Sequence, residues 1–258
     1  MGSHPRGDPR QPARRAVILL RSLLFDAIAY TLMGVMGLVL APAAAVSSRA
    51  ALWGIKLWCG IVLWLLRRLC GLRVEVRGRV PQGDVLVAAK HQSFLDVIIL
   101  SRVLPRPQFV MKQSLKWVPV LGFYAMRIGC TPIRREDQAR ALRGMLREVK
   151  GRRQAGTQTV IYPQGTRAAV GARLPYRPGA AALYRAFELE CVPVATNAGH
   201  FWARMSLYRR PGMAVVEFLD PIPPGLEPRP FMAELERRIE AASDRLLAEA
   251  GTGSPPTR

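Results

Sequence analysis

The chain has 258 residues, half of them hydrophobic, which is enough for one full-sized domain with a substantial core or for a domain plus a membrane anchor. Its 38 basic side chains face 18 acidic ones, a net charge of +20, and the excess lies before residue 217, so the body of the protein carries a field suited to nucleic acid or to anionic lipid headgroups. Cys59, Cys70, Cys130 and Cys191 lack CxxC spacing and the histidines are only His4, His91 and His200, which argues against a zinc site, an all-histidine metal centre or a disulfide framework and leaves reduced, packed thiols.

Residues 1–15 are basic and rich in proline and glycine, the composition of a disordered arm. Residues 27–46 carry no charge and match the length of a bilayer-spanning helix. A second uncharged run, 57–66, is too short to span and reads as interfacial, with Trp53, Trp58 and Trp64 as headgroup-level anchors. The small-residue pattern around Ala41, Ala43 and Ala45 also fits a cleaved signal peptide, but Arg21 and Asp26 inside the apolar part favour an uncleaved helical hairpin or a partly buried helix pair. Residues 16–72 are therefore expected to be membrane-anchoring helices. Basic flanks on both sides place their two ends on the cytoplasmic side.

From residue 73 the texture changes. Runs 74–80, 85–89, 108–111, 159–162, 192–196 and 214–219 are predicted strands, and 94–103, 138–150 and 179–188 predicted helices. Their alternation predicts an α/β domain over 73–250, with a mostly parallel central sheet flanked by helices. Phe231, Leu235, Ile239, Ala242 and Leu246 form one stripe of a closing amphipathic helix, and 251–258 form a flexible tail.

The chemistry gathers at predicted strand ends, where α/β sheets bind ligands. His91 follows the 85–89 strand, and Asp96 lies five positions on. On one regular helix the two would point about 140° apart. With Ser93 as N-cap, however, His91 falls in the preceding turn and can fold back toward Asp96, giving a base and its orienting acid. The same residues also fit a capping box alone. Downstream, Tyr162-Pro163-Gln164-Gly165-Thr166-Arg167 follows another strand; its glycine admits close backbone approach and Arg167 offers a planar fork of donors for a phosphate. Arg135 in the stretch 129–135 and Lys112 at the end of the 108–111 strand add further cations. The aromatic residues cluster in the apolar segments and do not interleave with the basic ones, which disfavours a nucleic-acid partner.

In order and spacing these blocks resemble the glycerolipid acyltransferases related to 1-acyl-glycerol-3-phosphate acyltransferase. His91 to Asp96 looks like their HxxxxD block, 129–135 like their glycine-to-arginine block, 162–167 like their FPEGTR block and Val192-Pro193-Val194 like their VPV segment. Gln164 stands where glutamate is usual, and Pro132 where phenylalanine is common. The resemblance implies transfer of a fatty acyl group from acyl-CoA or acyl carrier protein to the free hydroxyl of lysophosphatidic acid, giving phosphatidic acid. It implies His91 as general base oriented by Asp96, and Lys112, Arg135, Gly165, Thr166 and Arg167 around the substrate. No metal or cofactor is implied. The expected setting is the cytoplasmic face of the inner membrane, among phospholipids. Two alternatives stay open: another lyso-lipid such as a lyso-ornithine lipid as acceptor, and a non-catalytic adaptor that binds anionic lipid.

Overall fold

The computed structural model describes the backbone of residues 11–133 and 138–252, and the side chains of 15–133 and 142–251. Three helices come first: α1 (Gln11–Val39), α2 (Ala41–Val46) and α3 (Ser48–Leu65), the last running on through a π turn to Cys70. The uncharged run 27–46 is thus not one helix. It is broken at Leu40, where Pro42 in the first turn of α2 has no N–H to continue the ladder of α1. Ser47 then caps α3 by accepting from Ala50 N.

The run 57–66, expected to be too short to span, is part of a longer helix. Ser48–Cys70 and Arg15–Val39 are both long and apolar enough to cross a membrane by length and composition. The charge that shortened the sequence count is Lys56, whose Nζ donates to Leu104 O at 2.6 Å, a backbone acceptor that no sequence window reveals.

The rest of the chain builds a seven-stranded sheet. In chain order follow β1 (Leu72–Arg77), β2 (Val85–Ala89), α4 (Phe94–Val103), β3 (Pro107–Lys112), α5 (Leu121–Arg127), β4 (Thr131–Ile133), α6 (Gln138–Arg152), β5 (Gln158–Ile161), α7 (Gly179–Phe187), β6 (Cys191–Thr196), α8 (Ala198–Phe201), β7 (Gly212–Phe218) and α9 (Pro228–Thr252). The spatial order is β1-β7-β6-β2-β5-β3-β4, parallel throughout except for the antiparallel pair β6 and β7. β1 ends earlier than the predicted 74–80 strand. Gly78 turns the chain at φ 75°, and a Cβ there would sit 1.9 Å from Phe218 O, so the backbones meet too closely for any side chain.

β2 lies centrally and all five of its residues are buried, as a strand covered on both faces requires. Its side chains alternate between two cores. Val85, Val87 and Ala89 pack with α4 and with Phe25, Ala29, Cys59 and Val62 of α1 and α3, whereas Leu86 and Ala88 pack with α6, α7 and α9. The N-terminal helices therefore share a core with the sheet. Their outer faces remain bare: Leu38 and Val39 on α1 and Trp53 and Trp64 on α3 are all more than half exposed. The predicted stripe Phe231, Leu235, Ile239, Ala242 and Leu246 is the buried face of α9. All four cysteines are free and buried.

Candidate active site

His91 leaves the carboxyl end of β2, and Ser93 stops the extended chain there. Ser93 has β-region backbone angles, its Oγ accepts from Leu95 N at 3.1 Å, and it forms a capping box with Asp96 at the start of α4. Asp96 Oδ2 accepts from Gln92 N and Ser93 N, 2.7 Å each, and faces His91 Nδ1 at 3.3 Å. The capping role and the histidine-facing role thus fall on the same carboxylate. Asp96 is 1% exposed, and its hydrogen bonds hold it in place so that Nδ1–H of the imidazole can donate to it. Nε2 is then left with its lone pair.

The imidazole is held from the side as well. Its ring stacks on Tyr162, with centroids 4.0 Å apart and planes 20° from parallel. Ala168 N donates to His91 O at 2.8 Å, which ties the turn after β5 to the histidine loop. Burial, with the Asp96 carboxylate adding to it, pushes the Tyr162 phenol well above its ordinary pKa, so that it stays neutral.

The turn after β5 is formed as its glycine demands. Gly165 sits at φ 69°, and a Cβ there would lie 2.9 Å from Arg177 Cδ. That close approach, with Arg177 N donating to Pro163 O at 2.8 Å, brings Arg177, which the sequence did not single out, against the turn that carries Gly165. His91, Lys112, Gly165, Arg167 and Arg177 all line one cavity of about 1060 Å³. Much of its wall is apolar, including Met33 and Met36 of α1, Ile55 and Trp58 of α3 and Phe94 of α4. The cavity wall thus combines a histidine, the cations Lys112, Arg167 and Arg177, which can hold a phosphate, and extensive apolar surface.

Thr166 is not part of the cavity wall, because the positive φ of Gly165 turns the chain between them. Arg135 lies outside the described residues. His200, in α8, is a partly buried histidine stacked edge-on against Phe201, away from this wall. Tyr162 opens the 162–167 block but carries no role read from it, and Arg177 lies beyond the block with no spacing signal of its own.

A family model described as Acyltransferase matches residues 72–197. The chain is 30% identical over 194 residues to the 1-acyl-sn-glycerol-3-phosphate acyltransferase of Pseudomonas aeruginosa, across 74% of this chain and 76% of that one. It is 28% identical over 201 residues to the human 1-acyl-sn-glycerol-3-phosphate acyltransferase alpha, across 75% and 71% of the two chains. The crystal structure of the 1-acyl-sn-glycerophosphate (LPA) acyltransferase from Thermotoga maritima matches with a TM-score of 0.75, covering 90% of this chain and 98% of that one; at 19% identity this likeness speaks for the fold.

Proposed function

The chain belongs to the 1-acyl-sn-glycerol-3-phosphate acyltransferase family and is an acyltransferase, and from that premise we propose that it moves a fatty acyl group from acyl-CoA or acyl carrier protein to the free hydroxyl of lysophosphatidic acid. The observation that carries the reading is the His91–Asp96 contact, with His91 lining a cavity whose wall also holds Lys112, Arg167 and Arg177 and many apolar side chains.

In this reaction His91 Nε2 removes the acceptor hydroxyl proton as that oxygen attacks the thioester carbonyl carbon. The tetrahedral species collapses with loss of the C–S bond, and the departing thiolate takes its proton from the imidazolium. Asp96 stabilises the imidazolium while it exists. Arg167, Arg177 and Lys112 hold the acceptor phosphate, and fixing both substrates in one cavity supplies much of the rate. The acyl chain occupies the apolar slot. The bare faces of α1 and α3 keep the mouth at a lipid surface, on the cytoplasmic side by the basic residues that flank the helices. The proton transfers need only the imidazole, so no resident metal or cofactor enters the scheme.

Purified protein in detergent, supplied with labelled acyl-CoA or acyl carrier protein and a panel of lyso-lipids, tests this. Preferential acylation of lysophosphatidic acid is expected. Equal or better acylation of a lyso-ornithine lipid or of lysophosphatidylcholine would refute the acceptor assignment.

A further inference from the structure

Beside the histidine lies a buried charged cluster that the reaction as written does not use. Lys90 immediately precedes His91, and its Nζ lies 2.6 Å from both carboxylate oxygens of Glu240, with the two side chains 3% and 8% exposed. Glu240 comes from α9, 150 residues away in sequence. Its Oε1 also accepts from Tyr176 Oη at 2.9 Å and lies 3.5 Å from Gln164 Nε2. Gln164 is buried and its Oε1 has no hydrogen-bond partner. One carboxylate thus joins the strand end carrying His91, the turn carrying Gly165 and Arg167, and the segment carrying Arg177.

The charge count in this cluster is strict. One buried ammonium needs one anion, and Glu240 is that anion; the other two groups touching it are neutral. A carboxylate at position 164 would set two negative charges 3.5 Å apart against a single ammonium, a costly arrangement in a buried site. While Glu240 is present, position 164 must be neutral. This accounts physically for Gln164 in a block whose resembled form carries glutamate.

We propose that Glu240 is a positioning residue for the reaction: through Lys90 it sets the strand end that presents His91, and it supplies from α9 the one negative charge that faces the buried Lys90 ammonium. The proposal rests on the reading of His91 as the base. A carboxylate that only fastened α9 to the domain would be needed at position 240 and nowhere else. A positioning carboxylate can be moved: Lys90 and Gln164 both approach Glu240 Oε1, at 2.6 Å and 3.5 Å, so a carboxylate carried by position 164 stays in the same buried cluster as the Lys90 ammonium.

The experiment compares Glu240→Gln, Gln164→Glu and the double variant by steady-state acyl transfer and by the histidine ring resonances of His91, assigned by their loss in His91→Asn. Each single variant is expected to lower kcat about tenfold or more with the donor KM unchanged, and to displace the His91 resonances. The double variant, one carboxylate again facing Lys90, is expected to recover both. A Glu240→Gln protein with wild-type kcat and resonances overturns the proposal, and so does a double variant no better than Glu240→Gln. Should Glu240→Gln fail to fold, Lys90→Met combined with Glu240→Met removes both charges at similar volume, and wild-type kcat in that protein overturns the proposal equally. If the wild-type protein acylates no lyso-lipid, the functional reading falls, while the His91 resonances still report whether Glu240 sets the ring.

Discussion

Replacing Asp96 by Asn isolates charge from geometry. The Asn oxygen can occupy the place of Oδ2, where it keeps the bonds from Gln92 N and Ser93 N and still accepts from His91 Nδ1–H, while its amide nitrogen faces Thr196 Oγ1, which lies 3.4 Å from Oδ1. What disappears is the negative charge beside the imidazolium. At the 3.3 Å separation and an effective dielectric of about 20, a unit-charge pair interacts by about 5 kcal/mol. At about 1.4 kcal/mol per power of ten, kcat is expected to fall by roughly 10³- to 10⁴-fold. Because the cap survives, the stability loss should stay below about 1 kcal/mol, which for a chain of this size is a Tm change of about 2–4 °C or less. The assay is single-turnover acyl transfer alongside thermal unfolding. A folded Asp96→Asn protein with kcat within about tenfold of wild type would refute the role of the carboxylate in stabilising the imidazolium.

Other consequences follow from the same geometry. His91→Ala should lower acyl transfer by roughly 10²- to 10⁴-fold while vesicle binding is unchanged; retained transfer would remove the general base. Arg167→Ala should raise KM for lysophosphatidic acid by about ten- to a hundredfold, the loss of a charge-assisted bond, and leave a neutral monoacylglycerol acceptor unaffected, as parallel KM measurements would show. Gly165→Ala forces a Cβ to 2.9 Å from Arg177 Cδ at a positive φ, so it should cost about 1–3 kcal/mol in denaturant titrations and weaken acceptor binding with it. Arg209 bonds Asp26 of α1 at 2.6 Å with its side chain 4% exposed. Arg209→Ala should therefore destabilise the protein by about 3–5 kcal/mol, because it leaves the Asp26 carboxylate without its partner. Burial pushes the Cys130 thiol up to about 12, so iodoacetamide should label it only after unfolding, as mass spectrometry of native and denatured samples would reveal.

Local pattern carried most of the element identities. The alternation of β2, the capping position of Ser93 and the stripe of α9 are local properties, because side-chain periodicity follows backbone geometry whatever the chain later packs against. The order of the blocks that resemble the acyltransferases is likewise a property of the linear chain. The break in the first apolar run has a local cause, Pro42, which a count of uncharged residues does not register. The second run, 57–66, ends at Arg67 and is preceded by Lys56, and that Lys56 is satisfied by Leu104 O, 48 residues away, is not a local property.

By itself the sequence determined that His91 and Asp96 belong at a strand end before a helix, that Gly165 and Arg167 follow another strand, and that an apolar front precedes a basic α/β body. Only the tertiary structure decided that Asp96 caps α4 and faces His91 with the same oxygen, that Arg177 reaches the space beside Gly165, and that Lys90 is neutralised by Glu240. The Lys90–Glu240 contact joins residues 150 apart and is set by how α9 packs against the end of β2, whereas the Asp96 contacts are short in the chain and are decided by the backbone conformation of the turn before α4. A buried charge has to find its partner wherever the fold brings one, and sequence spacing does not encode that distance.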